Sequence, residues 1–428
     1  MTDWIPLPES RPLPPRGEWR YYAQNLVTGE WVSRELPLSA VKVTPVLSGP
    51  YRISATIDPA YKELRTGTGA LVLGEWQTLI VVEASGELRG GGILTDVREA
   101  GQKLDLEITG FSGYAERQPL RSSLTWGGKT AGTTGNGVDP LDVVRRLWQY
   151  LQDQPDGNLN VTLDSTSTPY RLGEWHNARR IDPDGKLGPA KEVNAQPIPI
   201  DKIWGPRERP PVAAQGKTLY WQYQQLWHED PEIGQLITTL AGQTPFDWME
   251  SYRWANADKT QVRMHLHFGY PRLGRRQAQL RFVEDENLSD PVTVQRDGGE
   301  YANLITVYGA GEGSKKVRAT ASVRDGRLRR GMSVDRPDLT TVAECQAAAG
   351  EELRRWSQLV DITSFTVVDH PHAPIGSFQV GDDVLVQTRT TAAPVRLWVR
   401  ITSMDLSPGA GEIQVTCRRS DRFDYPKG

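Results

Sequence analysis

Two segments far apart in the chain share one strand–turn–strand pattern. They are Ile93–Thr109 and Ile401–Thr416, and in each a strand leads through a Gly-containing turn to a second strand that alternates apolar and polar residues. Alternation with period two is typical of a strand with one buried face. A duplication predicts two copies of one antiparallel β-barrel, whereas unrelated hairpins remain the alternative. The candidate repeat positions are Ile93, Leu104, Leu106, Ile108, Ile401, Ile413 and Val415.

The rest of the chain is divided by composition and periodicity. Its 428 residues suffice for two to four domains. We predict a β-rich, multidomain α+β protein with a mixed α/β region inserted between the two barrels. The predicted parts are a Pro-rich arm (1–17), a first β-barrel domain (18–128), a mixed α/β domain (129–295) containing a long Pro-, Gly- and Asn-rich excursion (154–215), and a second β-barrel domain (296–428) with an inserted helix (341–357).

Local signals predict the secondary structure. Asp139 before Pro140 indicates a helix N-cap, and Thr341 three residues before Glu344 indicates a capping box. A third helix is predicted from the apolar spacing that begins at Ile233. Strands are predicted at 41–44, 51–57, 78–83, 104–109, 248–254, 261–268, 292–295, 302–308 and 318–323.

Composition excludes several classes of protein. The net charge of −3 argues against a chain held to nucleic acid by phosphate neutralisation. The two cysteines, Cys345 and Cys417, are too few for a disulfide framework or a Cys-based zinc site. No apolar run approaches the 18 residues or so of a membrane span, and the first residues do not form a secretory signal, so we expect neither membrane insertion nor secretion.

Motifs of catalysis are absent from the sequence. It has no G-x-S-x-G elbow, Walker A loop or H-E-x-x-H pair. The segment Gly309–Gly313 resembles a dinucleotide loop only superficially, because Ser314 occupies the third glycine position and a strand follows. A hairpin tip explains it better. We therefore predict a non-enzymatic protein with no catalytic or cofactor-binding residues.

Three polar clusters in the sequence are candidates for metal binding or catalysis. His265 and His267 share one strand face, but no third metal ligand has a recognisable spacing, which favours a solvated face. The same reasoning applies to His370 and His372 on a Pro-containing loop. The run 284–286 is acidic, yet adjacent strand residues point to opposite faces, so a solvated turn is favoured over a catalytic carboxylate pair. No metal is predicted.

A string of motifs along the chain resembles one protein family. In chain order they are Gly74–Glu83, Gly86–Leu94, Leu104–Gly110, Phe246–Trp248, Phe268–Pro271, Tyr301–Gly311, a helix ending near Trp356, Ile375–Leu385 and Arg400–Ile401. Together they resemble the minor tail proteins of long-tailed, siphovirus-like phages, the baseplate or tail-tip hub family with a duplicated-barrel fold. The likeness covers about residues 36–125 and 235–420. The arm and the excursion depart from it.

The resemblance implies a structural virion protein at the distal end of the phage tail, assembled in the host cytoplasm. It implies a homotrimer whose six barrels adapt the sixfold tail tube or distal tail ring to a threefold tip fibre. The implied partners are further copies of the chain, the distal tail protein ring, the tail tube protein, the tip fibre or other minor tail proteins, and the tape measure protein. Phage DNA would pass through the lumen without specific binding during ejection.

Two other functions stay open at this point. One is a tail-tip hydrolase that degrades the cell envelope. The other is a carbohydrate-binding module that uses Trp204 or Trp227 as a stacking platform.

Overall fold

The computed structural model describes residues 18–67, 69, 71–126, 138–177, 198–199, 219–244, 246–289, 292–296, 298–299, 301–311, 313–336, 339–390 and 393–422. The predicted arm, most of the 154–215 excursion and Trp204 lie outside these residues.

The first part of the chain folds into a seven-stranded antiparallel sheet in the order β2-β1-β5-β6-β7-β4-β3. The strands are β1 (Trp19–Asn25), β2 (Trp31–Ser33), β3 (Ser39–Thr44), β4 (Arg52–Ile57), β5 (Thr78–Ala84), β6 (Glu87–Ala100) and β7 (Lys103–Thr109). The predicted alternation of β7 is confirmed, since Leu104, Leu106 and Ile108 are buried and the residues between them are more exposed. Strand β5 is buried along its whole length, so the side chains on both of its faces are covered.

The middle part combines short sheets with two helices. Strand β13 (Leu219–Gln225) joins β8 (Leu124–Trp126) to β11 (Glu174–Asn177), and β10 (Tyr170–Arg171) pairs with β12 (Ile198–Pro199). Strand β15 (Val262–Gly269) lies between β14 (Asp247–Trp254) and β9 (Val161–Leu163), antiparallel to the first and parallel to the second. The helices are α1 (Pro140–Gln152) and α2 (Ile233–Gln243).

The predicted start of α1 is confirmed. Asp139 caps the helix by accepting a hydrogen bond from the Leu141 N–H, and Pro140 occupies its first turn. The same carboxylate also accepts hydrogen bonds from Thr168, which attaches the excursion to the helix.

The last part contains a six-stranded sheet in the order β16-β22-β23-β24-β21-β17. Its strands are β16 (Phe282–Val283), β17 (Thr293–Arg296), β21 (Val360–Val368), β22 (Asp383–Arg389), β23 (Pro394–Asp405) and β24 (Glu412–Arg419). Two of them, β16 and β17, begin before residue 296, so the sheet extends beyond the boundary expected from the sequence.

A small unit is inserted between β17 and β21. It contains β18 (Leu304–Tyr308), β19 (Arg318–Ser322), β20 (Gly331–Asp335) and helix α3 (Val342–Trp356). Its core is separate from the main one and includes Ile305, Val307 and Cys345. The inserted helix therefore comes with its own three-stranded sheet.

The turn after β18 is a hairpin tip, as predicted. Gly309 is required there, because a Cβ would overlap the Leu339 carbonyl and lie 2.8 Å from Cys345 Sγ.

The β-rich, multidomain α+β fold class is confirmed. In the described residues, the first and last strands of each large sheet do not pair with each other. Both strand orders are therefore those of open sheets. Among the described helices, none has the length and apolar character that crossing a membrane requires.

Candidate functional site

The two hairpins singled out in the sequence carry the same β-bulge. In β6 the pairing with β7 shifts between Leu94 and Asp96, and in β23 the pairing with β24 shifts between Ile401 and Ser403. The extra residue is a threonine in both strands. The Thr95 hydroxyl donates to the Glu107 carbonyl at 3.1 Å, and the Thr402 hydroxyl donates to the Thr416 carbonyl at 3.1 Å.

The bulges also define the register of the two hairpins. Thr95 corresponds to Thr402, and Leu106 corresponds to Val415. Comparison of the sequences alone matched Ile93 with Ile401. In the structure, Leu94 is the residue that corresponds to Ile401. A further contact agrees with the bulge register: the Leu94 carbonyl accepts from the Trp76 N–H at 2.7 Å, and the Ile401 carbonyl accepts from the Gly381 N–H at 2.9 Å.

The correspondence extends to five strands of each sheet. The first sheet contains the spatial order β5-β6-β7-β4-β3, and the second contains the matching order β22-β23-β24-β21-β17. Every neighbouring pair in both orders is antiparallel. The order along the chain is also the same. The seven candidate repeat residues are all buried in the core: Ile93, Leu104, Leu106, Ile108, Ile401, Ile413 and Val415.

The two sheets contact each other directly through backbone hydrogen bonds. Val43 and Leu406 exchange two N–H···O bonds of 2.8 Å, and the Leu47 N–H donates to the carbonyl of the bulge residue Thr402 at 2.9 Å. Beside them, Lys42 pairs with Asp405 at 2.6 Å. Strand β23 continues past Arg400, where its pairing with β22 stops, and the edge of β3 contacts this continuation.

A buried carboxylate joins the first sheet to β14. Glu250 accepts hydrogen bonds from the Ser112 N–H at 2.7 Å and from the Tyr252 hydroxyl at 2.9 Å. Burial raises the pKa of Glu250 to about 7. Gly110 lies so close that a Cβ would overlap Glu250 Oε2 and come within 2.5 Å of the Tyr51 N–H nitrogen. These contacts give Glu250 a structural role in holding the turn after β7.

A buried ion pair joins the second sheet to the same strand. Arg400 is fully buried, pairs with Asp247 and donates to the Leu273 carbonyl at 2.8 Å. A cavity of about 440 Å³ lies beside Glu250, and its walls come from all three parts and include Tyr51, Met249 and Met404.

The structure adds a carboxylate to the first histidine pair. His265 and His267 lie on β15 with ring centroids 4.4 Å apart, and Asp164, directly after β9, lies 4.0 Å from His267 Nδ1. Burial, with help from the His265 charge, lowers the pKa of His267 to about 4. Spacing could not show this third group, because Asp164 is about a hundred residues away in sequence.

The second histidine pair also has a carboxylate beside it. Glu286 contacts His372, whose ring centroid is 4.9 Å from that of His370. Glu284 instead accepts hydrogen bonds from Thr388 and from the Arg389 N–H, and these lower its pKa. The acidic run is therefore divided between two neighbours rather than directed at one cleft.

Trp227, the second candidate stacking platform, is 56% exposed and lies in a single 3₁₀ turn beside His228.

No protein-family model matches the chain, and no curated protein matches it. Among solved structures, the 43 kDa tail protein of prophage MuSo2 from Shewanella oneidensis superposes with a TM-score of 0.50 at 10% identity, covering 95% of this chain and 100% of that one. Prophage tail protein gp18 from Listeria monocytogenes EGD-e gives 0.49 at 10% identity, with 94% and 95% covered. The tail protein from Neisseria meningitidis MC58 gives 0.48 at 12% identity, with 95% and 99% covered. The chain has the fold of a prophage tail protein, which confirms the predicted resemblance at the level of the fold.

Proposed function

We propose that this chain is a structural protein of a phage tail and forms a homotrimeric hub at the tail tip. The shared fold supports a tail role. The observation that carries the hub proposal is the five-strand unit that occurs twice in one chain with the same order, bulge and register. Three chains would present six such units, so one closed ring could match a sixfold tube and a threefold fibre.

The contact inside one chain suggests how chains associate. The edge of β3 in the first unit lies against β23 of the second, beyond residue 401. The corresponding stretch of the first unit is β6 beyond Leu94. In the described part of the chain, this stretch pairs with β7 on one side and with no strand on the other.

The counterpart of β3 in the second unit is β17, the last strand of its sheet. We therefore propose that β17 of one chain docks on the free edge of β6 in the next, repeating between chains the contact made within each chain. Trp76 supports this, because it lies beside the start of that edge and is 55% exposed. Large exposed aromatic side chains are enriched at protein interfaces.

The finer assignments follow from the hub proposal. The ring would bind the distal tail ring or tail tube on one face and the tip fibre or other minor tail proteins on the other, with the tape measure protein as a further neighbour. The lumen would conduct DNA without binding it tightly, which suits the net charge of −3. None of these roles requires catalysis.

Substitution of Val97 tests the docking edge. In the bulge register Val97 corresponds to Met404, whose N–H points toward the Pro45 carbonyl at 3.4 Å. Val97→Pro removes that outward N–H while the ladder to β7 is kept, since proline is tolerated where an edge N–H faces away from the sheet. The matched control is Val97→Ala, which shortens the side chain and keeps the N–H.

The measurement is light scattering coupled to size-exclusion chromatography, with circular dichroism to verify folding. We expect three chains of 47.8 kDa per particle for the wild type and the alanine variant, and monomers for the proline variant. A monomeric wild type, or a folded proline variant that still forms trimers, would overturn the docking proposal. Immunogold labelling of phage lysates provides the independent test of the tail role: label must lie at one end of the tails.

A further inference from the structure

We propose that Asp164, His265 and His267 form a binding site for a divalent transition-metal cation, for which zinc is the probe. The inference is independent of the proposed function. Two imidazoles and one carboxylate are ligands that zinc and related ions prefer.

The three side chains are close enough to share one ion. One ligand atom from each lies within 4.8 Å of the other two, and His267 Nδ1 is 4.0 Å from Asp164 Oδ2. With metal–ligand bonds of about 2.0–2.1 Å, tetrahedral ligand atoms are roughly 3.4 Å apart. Rotations of the side chains that bring these atoms closer by up to about 1.4 Å would complete the site.

Each histidine is oriented by a hydroxyl on a neighbouring strand. His265 Nδ1 is 2.7 Å from Thr162 Oγ1, and His267 Nε2 is 2.8 Å from Ser251 Oγ. Each contact occupies one ring nitrogen and leaves the other, Nε2 of His265 and Nδ1 of His267, to bind metal. A hydrogen bond to the non-ligating nitrogen is the usual way in which proteins fix a metal-binding imidazole.

The carboxylate is held in the same way. Asp164 Oδ2 accepts from the Phe268 N–H at 2.9 Å, and Oδ1 accepts from the Thr166 N–H at 3.2 Å. Its position is therefore set by the backbone of β15 and by its own turn. Burial lowers the pKa of His265, and the charges of Arg253 and Arg263 lower it further. The Asp164 carboxylate offsets part of their effect.

The location indicates what the ion would do. Asp164 follows β9, whereas both histidines lie on β15, and these two strands pair through only three residues of each. A metal bridging them would crosslink a short parallel pairing whose strands are about a hundred residues apart. Three protein ligands leave a fourth position for water or for a group from another molecule.

The test uses the untagged full-length chain, freed of metal by a chelator. Zinc binding is measured by isothermal titration calorimetry, and Co²⁺ is used as a second probe because its visible absorption reports tetrahedral coordination. We expect a zinc ion bound per chain at micromolar or lower concentration, an intense Co²⁺ spectrum and a higher melting temperature with zinc.

Variants then locate the ion. His265→Gln with His267→Gln should abolish this binding event, and Ser251→Ala, which keeps all three ligands, should weaken it about 10–100-fold. The matched control is His370→Gln with His372→Gln, which removes the other histidine pair, the one beside Glu286, and should leave the event unchanged.

A wild-type chain that binds no zinc at micromolar concentration overturns the proposal. So does binding that survives the His265 and His267 substitutions, or that disappears only in the His370 and His372 variant. If the double variant fails to fold, the Ser251→Ala affinity and the wild-type Co²⁺ spectrum still decide the question.

Discussion

Replacing Glu250 with glutamine should change how the stability of the protein depends on pH. Glu250 is fully buried beside Tyr51 and Tyr252, and its carboxylate accepts the Ser112 N–H. Burial disfavours the charged form, so the folded protein holds the proton to a higher pH than the unfolded chain does. The two tyrosines have raised pKa values and stay neutral throughout the relevant range.

The size and sign follow from the pKa values. The pKa rises from 4.5 to about 7 on folding, and since one pKa unit is about 1.4 kcal/mol, the change corresponds to roughly 3 kcal/mol. Between these pH values the folded state binds more protons than the unfolded state, so the free energy of unfolding must fall as the pH rises. The stabilisation is complete below pH 4.5 and is lost as the pH passes through 7.

The assay is urea unfolding of the wild type and of Glu250→Gln at closely spaced pH values from 4.5 to 8.5, followed by tryptophan fluorescence. The glutamine variant cannot titrate, so the difference between the two proteins isolates this one group. We expect the wild type to be the more stable protein at low pH and to lose roughly 3 kcal/mol of that advantage by pH 8. Parallel curves across the whole range would refute the reasoning.

Three further substitutions test other parts of the structure. Ile401→Asp places a charge in the core of the second sheet and should cost several kcal/mol, abolishing a cooperative thermal transition; an unchanged melting temperature would contradict the core assignment. Arg400→Leu breaks the buried ion pair with Asp247 and should cost about 3–5 kcal/mol in chemical unfolding. Adding Asp247→Leu should recover part of that loss. The predicted capping box of α3 is confirmed, since the Thr341 hydroxyl accepts from the Glu344 N–H and the Glu344 carboxylate accepts from the Thr341 N–H. Thr341→Ala removes it and should cost about 1 kcal/mol, seen as faster hydrogen exchange in that helix and not in the large sheets.

Local sequence signals predicted much of the secondary structure because each rests on neighbouring residues. The alternation in β7, the Asp139 cap and the Thr341 capping box all depend on contacts within a few positions. The start of the second sheet before residue 296 was not predicted. Strand β16 has only two residues, which is too short for periodicity to be recognised. Strand β17 was predicted, at 292–295, but was assigned to the middle domain, because nothing in its own residues shows that it pairs with β21.

The candidate sites depend on contacts between distant residues, and this is where sequence reasoning was incomplete. Asp164 reaches the histidines only because β9 pairs with β15. The repeat was predicted from apolar positions with unrelated hairpins as the alternative, and the correspondence of residues needed the bulges at Thr95 and Thr402. Alternating apolar residues allow several alignments of two strands, whereas the bulge marks one position in each strand and so defines which residues correspond.

The shared bulge has a consequence for assembly. An extra residue bends a strand and increases its twist. Both β6 and β23 stop pairing with their first partner strand at corresponding positions just before the bulge, after Ile93 and after Arg400. In β23 the edge that this creates is covered by residues 43–47 of the same chain. An uncovered strand edge favours association with another strand. Among the described residues, the duplicated unit thus has one edge that the chain covers by itself and one that it leaves open. The proposed ring of identical chains would cover the second edge.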